Sequence, residues 1–276
     1  MYKRDRAHGV MFHHFHDAIH PKGQGSISAD DFRSMIDYLG RDNILSAKDW
    51  LKKAESKTLK HTDLCLTFDD NLLCQYEVAY PVMKSLGLTA FWFVYTSPLS
   101  GHLEKLEVFR YFRSTKYDDV EEFYQEFFES LGQSEYAGEV ESALSNFVPS
   151  EYLKSCPFYT DGDRRFRYVR DFVLKPARYE QAMELLLNRK GFDTTKVANL
   201  LWMQKEHLRD LHQDGNVIGL HSHSHPMQLA LLTPGEQEIE YQKNYRAISD
   251  AVEESPYAMS HPCNSYQEGT LGASFF

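Results

Sequence analysis

The sequence predicts an α/β fold, and three observations carry that prediction. Apolar runs of strand length recur at Val10–Phe15, Leu64–Phe68, Leu88–Tyr95 and Val217–Leu220. The segments between them have helical spacing, and Gly87 marks the turn from one such helix into the next strand, so strand, helix and strand form a βαβ unit with a parallel sheet. Two of the runs end abruptly in acid/base or metal-ligand residues, which is how such scaffolds present chemistry at strand C-termini.

Taken in order, Val10–Phe15 is the first strand. Ser28-Ala29-Asp30-Asp31 then opens a helix whose apolar positions Phe32, Ile36 and Leu39 recur at helical spacing until Gly40 ends it. A short helix near Ala47–Ala54 precedes the strand Leu64–Phe68. Leu72–Leu86 reads as helix with a kink or restart at Pro81, followed by the strongly apolar strand Leu88–Tyr95. From Ser97 to Asn216 the pattern changes: Val120, Phe123, Tyr124, Phe127, Phe128 and Leu131 make a helical apolar face, and further helices are expected near Tyr179–Arg189 and Thr195–His212. We read 97–216 as a helical insertion between sheet segments 1–96 and 217–276. The sheet resumes at Val217–Leu220. Thr233-Pro234-Gly235-Glu236 is a capping box with proline at the first helical position, opening a helix to about Glu254, and Tyr257–Ser260 is the next expected strand.

A chain of 276 residues with 42% apolar content has room for one large α/β domain, or one domain carrying an insertion. The 40 acidic against 30 basic residues give a formal charge of −10, which disfavours nucleic acid as partner. Cys65, Cys74, Cys156 and Cys263 show no CxxC pairing and fit the reduced thiols of a cytoplasmic protein. Met1–Phe15 lacks an uninterrupted apolar stretch, and no window approaches the ~18 apolar residues of a spanning helix, so neither an export signal nor a transmembrane segment is expected. Arg164, Arg165, Arg167, Arg170, Lys175 and Arg178 interleave with Phe166, Tyr168 and Phe172. This cluster is either a contact for an anionic group or, on the plainer reading, a solvated face balanced by Asp161, Asp163 and Asp171.

The chemistry concentrates in Leu64-Cys65-Leu66-Thr67-Phe68-Asp69-Asp70 and Ile218-Gly219-Leu220-His221-Ser222-His223-Ser224-His225-Pro226. Adjacent aspartates after a strand are commonly a turn or a helix cap, so Asp69-Asp70-Asn71 alone decides little. Three imidazoles in five residues are harder to explain by packing, because each buried ring needs polar partners. An extended chain sends His221, His223 and His225 to one face, whereas a turn brings only His221 and His225 together, so spacing leaves His223 open. One carboxylate with two imidazoles suits zinc, or iron, cobalt or nickel in competition with it, and leaves a position for water.

These residues resemble the polysaccharide deacetylases of the NodB-homology type. Thr67-Phe68-Asp69-Asp70 matches that family's TFDD motif, and His221-Ser222-His223-Ser224-His225 matches H[ST]xxH, with Pro226 in the usual place. The resemblance implies a distorted (β/α) barrel and a divalent metal, most simply zinc, held by Asp70, His221 and His225. It makes Asp69 the general base and His223 a spacer. Met259-Ser260-His261-Pro262-Cys263 lies where the family has a proline segment whose following backbone amide stabilises the oxyanion, so Cys263 supplies that amide, although no arginine precedes it here. His261 is either a substitute substrate contact or a strand-end residue. His14, in Phe12-His13-His14-Phe15-His16-Asp17, corresponds to a substrate-site histidine on a first strand of some members, or to simple strand alternation.

Family members continue with more strands and a late leucine-x-histidine segment whose histidine protonates the leaving amine, and this chain has no such segment. Its strand starts at Val10, Leu64, Leu88, Val217 and Tyr257 fall short of the about seven or eight of a closed barrel. With the tail Gly269–Phe276, they read as a shortened deacetylase. The expected function is metal-dependent removal of acetyl from an N-acetylated sugar or polysaccharide precursor. It is expected to be slow unless His261 or another group replaces the missing acid, since acid catalysis contributes on the order of 10² to 10⁴ in rate. The rivals are a sugar-binding or assembly protein that keeps the metal cleft without turnover, and an amidohydrolase using His221-x-His223 as its ligand pair.

Overall fold

Two strands that are buried on both faces organise the molecule. The computed structural model describes residues 6–266 and residue 270, so the tail read as a shortened end lies outside the described residues, Thr270 apart. Strands β1 (His8–Phe12), β2 (Leu64–Asp69), β3 (Ala90–Val94) and β4 (Val217–Leu220) form one sheet in the order β1-β2-β3-β4. Every pairing is parallel. All of β3, and all of β2 except Thr67, is buried, as expected for central strands covered by helices on both sides.

In chain order the helices are α1 (Ala29–Leu39), α2 (Ala47–Glu55), α3 (Tyr80–Leu86), α4 (Lys105–Lys116), α5 (Val120–Gly132), α6 (Ala137–Ser145), α7 (Asp161–Tyr168), α8 (Lys175–Arg189), α9 (Ala198–Leu201), α10 (Lys205–Gln213) and α11 (Pro234–Val252). The capping predictions correspond to real caps: Ser28 with Asp31 opens α1 and Thr233 with Glu236 opens α11, each a reciprocal capping box. Before α3 the chain makes a π-helical turn over Gln75–Ala79, and Pro81 sits in the first turn of α3, where its missing N–H costs nothing.

The chain divides into two compact units, one comprising the described residues of Met1–Glu104 and Lys196–Phe276, the other Lys105–Thr195. In the first, Phe68 stacks on Trp92 with centroids 4.3 Å apart and planes at 12°, and Phe12, Phe15 and Phe32 complete an aromatic core on that face. On the other face Ala47, Trp50 and Leu51 of α2 close over Cys65, Phe91, Phe93 and Val217. Gly219 is required in β4, because a Cβ there would come within 2.7 Å of the Phe93 ring and 2.9 Å of the Ala258 carbonyl. The second unit packs α4 to α8 around Phe109, Phe112, Phe123, Phe127, Phe166 and Tyr179.

Two expectations are corrected. Tyr257–Ser260 is no full strand: it makes one parallel bridge, Leu220 to Met259, through Leu220 N to Ala258 O and Ser260 N to Leu220 O. On the other side of β4 the next amide, His221 N, donates to the Asn244 side chain, which in turn donates to Val94 O, so the β3–β4 ladder ends at Leu220. The helix expected from Thr195 to His212 breaks into α9 and α10, because Trp202 is extended (φ −120°, ψ 144°) and bridges Leu72 antiparallel, with Met203 N donating to Asn71 O. Among the described residues the sheet thus has four parallel strands in sequential order.

Candidate metal centre

The C-terminal ends of β2 and β4 bring the two motifs together. Asp69 is the last residue of β2, and Asp70 and Asn71 follow it in left-handed conformation (φ 82° and 57°). His221 follows β4 directly, and a turn with Ser222 and His225 at φ 63° and 56° brings the second imidazole back. One donor atom from each of Asp70, His221 and His225 lies within 4.8 Å of the other two. Asp70 Oδ1 is 3.3 Å from His221 Nε2 and 3.2 Å from His225 Nε2, and Asp69 Oδ2 is 3.9 Å from His221 Nε2.

Hydrogen bonding fixes which way these groups present their lone pairs. His221 Nδ1 lies 3.0 Å from the Ser260 carbonyl, which only accepts, so Nδ1 carries the proton and a neutral His221 turns its Nε2 lone pair towards Asp70. Asp70 Oδ1 is buried and has no hydrogen-bond partner. A buried carboxylate oxygen facing the His221 lone pair is repulsive unless a cation lies between them, and a tight group of one oxygen and two nitrogens is a donor set for a divalent ion such as zinc. The residues therefore fit a metal.

Without an ion, these buried groups shift one another's titration. Burial raises the pKa of Asp69, and the neighbouring Asp70 adds to this against the opposing pull of His221 and His13. Burial would raise Asp70 too, but His225, His221 and His13 together hold it well below the usual carboxylate range. For His225 burial works against the charged form and Asp70 more than reverses it, so its pKa is raised.

His223 points elsewhere: its Nδ1 pairs with Thr96 Oγ1 at 3.0 Å, its carbonyl accepts from the Thr96 and Ser97 amides, and burial lowers its pKa. Of the N-terminal histidines it is His13 whose Nε2 reaches Asp70 Oδ2, at 3.7 Å. His14 lines, with His13, a surface hollow of about 430 Å³ bounded by Met11, Ile27, Met35 and Tyr38. His261 Nδ1 pairs with the Tyr241 hydroxyl at 2.7 Å, and burial followed by the proximity of His221 lowers its pKa. Cys263 lies in the turn Pro262–Asn264 with φ 54°.

Four supporting residues escaped the sequence reading. Ser260 donates its hydroxyl to Asp69 Oδ2 (3.2 Å). Gln75, fully buried, donates to both the His13 and Asp69 carbonyls and so ties the ends of β1 and β2. Asn244, also fully buried, accepts from His221 N (2.9 Å) and donates to Val94 O (2.8 Å) and Thr96 Oγ1 (3.1 Å). Glu240, one turn earlier, accepts from the amides of His223 and Ser224 and from the Ser224 hydroxyl. A signal for Asn244 existed: with Tyr241 and Ile248 it occupies the buried stripe of α11, where an amide needs a reason to be.

A parallel α/β sheet carrying carboxylates and imidazoles at its C-terminal edge is a broad class of protein, and comparison with known proteins narrows it. The polysaccharide deacetylase family model matches residues 175–274, which include His221 and His225, and the resemblance drawn from the two motifs stands with it. No curated protein matches the chain in sequence. Among solved structures, the chain is similar to Streptococcus pyogenes deacetylase PplD in complex with acetate, at 14% identity and a TM-score of 0.53, over 98% of this chain and 79% of that one. It is also similar to a de-N-acetylase from Aggregatibacter actinomycetemcomitans, at 13% identity and a TM-score of 0.50, over 94% and 79% of the two chains. At these identities the likeness is one of fold, and the fold is that of the deacetylases.

Proposed function

We propose that the chain is a metal-dependent deacetylase that hydrolyses the acetamide of an N-acetylated sugar, as free sugar or polysaccharide. The observation that carries this reading is the buried, unpartnered Asp70 Oδ1 set between two imidazole nitrogens. Asp70, His221 and His225 would hold the ion, most simply zinc. When bound, such an ion supplies Lewis acidity towards an acyl oxygen and a water ionisable near neutral pH.

The chain's own residues supply the remaining functions. Asp69 Oδ1 is buried and has no protein partner, while Oδ2 is held by the Ser260 hydroxyl, so Oδ1 is the atom that takes the proton from the attacking water. The raised pKa of Asp69 suits a base that must also release that proton. The Ser260 carbonyl keeps the His221 tautomer fixed, so one serine orients both the base and a ligand. The Cys263 amide is assigned to the developing oxyanion, and His261, His13 and His14 to the substrate side. The rival, a sugar-binding or assembly protein that keeps the metal cleft without turnover, predicts carbohydrate binding with no acetate release from the wild-type chain.

Metal analysis of the purified chain and of Asp70→Ala tests the site: about one ion per chain, lost in the variant, is expected. Acetate release from N-acetylglucosamine oligomers then tests the chemistry. Asp69→Asn should keep the metal and lose activity by about 10² to 10⁴, and full activity in that variant would sink the mechanism.

A further inference from the structure

Residues 16–26, between β1 and α1, form a loop that closes on itself. Phe15 bridges Ile27 in parallel, with His16 N donating to Ile27 O (3.0 Å) and Ile27 N to His14 O (3.1 Å), so the two ends of the loop meet. Inside it, Asp17 Oδ1 accepts from the Ile19 and His20 amides, both at 2.8 Å, and the Ser26 hydroxyl donates to Gly23 O and lies 3.0 Å from His16 Nδ1. A compact loop with joined ends is an Ω-loop, a form that often carries function when a rigid frame aims it. His13, just ahead of the loop, reaches the metal centre: its Nε2 lies 3.7 Å from Asp70 Oδ2, whereas Asp70 Oδ1 faces His221 and His225.

The frame is the π-helical turn that follows β2 and the residue before it. Cys74 Sγ accepts from Phe15 N (3.4 Å), Gln75 donates to His13 O (2.8 Å) and to Asp69 O, and Glu77 accepts from His20 Nε2 (2.7 Å). Cys74, Gln75 and Glu77 thus hold Phe15, His13 and His20, and Gln75 ties them to the end of β2. π-Turns are rare and concentrate at functional sites.

His20 is the only buried residue of 16–26, at 6% exposure. A buried imidazole in an otherwise exposed loop needs a polar partner, and the Glu77 carboxylate is that partner. The Glu77 side chain is itself 42% exposed, so the pair adds little to global stability. What it does fix is where the loop lies against the π-turn.

We infer that Glu77 is a positioning residue: through His20 it holds the histidine loop on the π-turn and so keeps His13 against Asp70. The inference rests on the assignment of His13 to the substrate side of the proposed deacetylase site.

Tryptic cleavage after Lys22, an exposed residue of the loop, reports the loop's hold in the apo chain, with neither metal nor substrate present. Glu77→Ala should speed that cleavage about three- to tenfold, the worth of one hydrogen bond. It should also raise KM for acetate release from N-acetylglucosamine oligomers about tenfold, with kcat and metal stoichiometry unchanged, because a contact made equally in ground and transition state moves KM alone. His20→Leu, which keeps most of the buried volume and removes the N–H, should do the same. Glu77→Gln, whose amide oxygen still accepts from His20, should stay within about twofold of wild type on every readout. A merely structural contact would not move KM, so faster cleavage with KM unchanged overturns the inference, as does cleavage that Glu77→Ala and His20→Leu leave unaltered. A wild-type chain that binds metal but releases no acetate refutes the deacetylase reading instead. The oligomer's dissociation constant, from calorimetry of the zinc-loaded chain, then replaces KM. A loss of about tenfold in Glu77→Ala supports the inference, and wild-type affinity in that variant, or no oligomer binding by wild type, overturns it.

Discussion

Replacing Asn244 by alanine separates a helix that merely covers the sheet from one that holds the metal-ligand turn in place. The amide is fully buried and makes three hydrogen bonds, accepting from His221 N and donating to Val94 O and Thr96 Oγ1. Alanine orphans the His221 N–H and the Val94 carbonyl and leaves a small void. At about 1 to 3 kcal/mol for each orphaned group, the apo chain should lose about 3 to 5 kcal/mol of stability. A domain of ordinary stability, about 5 to 15 kcal/mol, survives that in the cold, so the variant remains measurable.

The same change releases the backbone that aims His221. Outer partners of metal ligands are typically worth about 10- to 100-fold in affinity, and if His221 holds an ion as proposed, the binding of that ion, read with zinc, should weaken by that factor. Urea unfolding of the apo chain and zinc competition against a chromophoric chelator give the two numbers separately. Asn244→Asp keeps the acceptor for His221 N but sets a buried carboxylate oxygen against the Val94 carbonyl, so it should be no more stable than alanine at neutral pH. A stability loss of less than about 1 kcal/mol would refute the hydrogen-bond argument. Undiminished zinc affinity in a destabilised variant would leave Asn244 a packing residue with no hold on the site.

Glu240→Ala removes acceptors for two amides and a hydroxyl in the same turn and should cost about 2 to 3 kcal/mol in urea unfolding, since these bonds are charge-assisted. Ser260→Ala keeps the carbonyl that holds His221 but frees Asp69 Oδ2; acetate release should fall about tenfold with metal content unchanged. Phe68→Ala opens the aromatic core between Phe12, Phe32 and Trp92 and should cost about 3 to 5 kcal/mol by denaturant titration. Asp63 has its pKa lowered, through the Lys60 amide against the opposing effect of burial and then through Lys53. A carboxyl depressed in the folded state stabilises above its unfolded value and loses that contribution as pH falls through the folded one. Asp63→Asn should therefore lower the melting temperature at neutral pH, and the difference from wild type should close as pH falls below 3.8.

What the sequence revealed follows from what kind of information each element carries. β2, β3 and β4 were legible because an unbroken apolar run has only one use in a covered parallel sheet, and α1 and α11 because capping boxes are local chemistry. The break between α9 and α10 was not, since Trp202 is taken out of the helix by a pairing with Leu72 far away in the chain. At the site, spacing left His223 open and the set Asp70, His221 and His225 came from the family resemblance; these are the residues whose donor atoms cluster. Ser260, Gln75, Asn244 and Glu240 act through hydrogen bonds across long sequence separations, and no local pattern encodes those. His13, whose Nε2 reaches Asp70 Oδ2, was not singled out, because alternation along a strand does not by itself say which of two adjacent histidines turns towards the site.

The backbone at the site explains why two adjacent aspartates can serve one centre. Successive residues of a strand point to opposite faces, so Asp69 and Asp70 in an extended chain would never meet the same imidazole. Here both reach His221 Nε2, at 3.9 and 3.3 Å, because the strand ends at Asp69 and Asp70 turns to φ 82°. Of nine non-glycine residues with positive φ among the described residues, five are Asp70, Asn71, Ser222, His225 and Cys263, all in the motif segments. Such conformations cost of order 1 to 3 kcal/mol each and persist only where the surroundings hold them. The surroundings do so here: Asp70 N donates to Phe93 O, Asn71 exchanges bonds with Met203, and His225 N donates to Ser222 Oγ. Asparagine at 71 is among the side chains that tolerate the left-handed region best, which is why the turn can follow the aspartates without glycine. The strain and its supports fall on the residues that converge on Asp70, as expected if the turns exist to aim side chains and not merely to end strands.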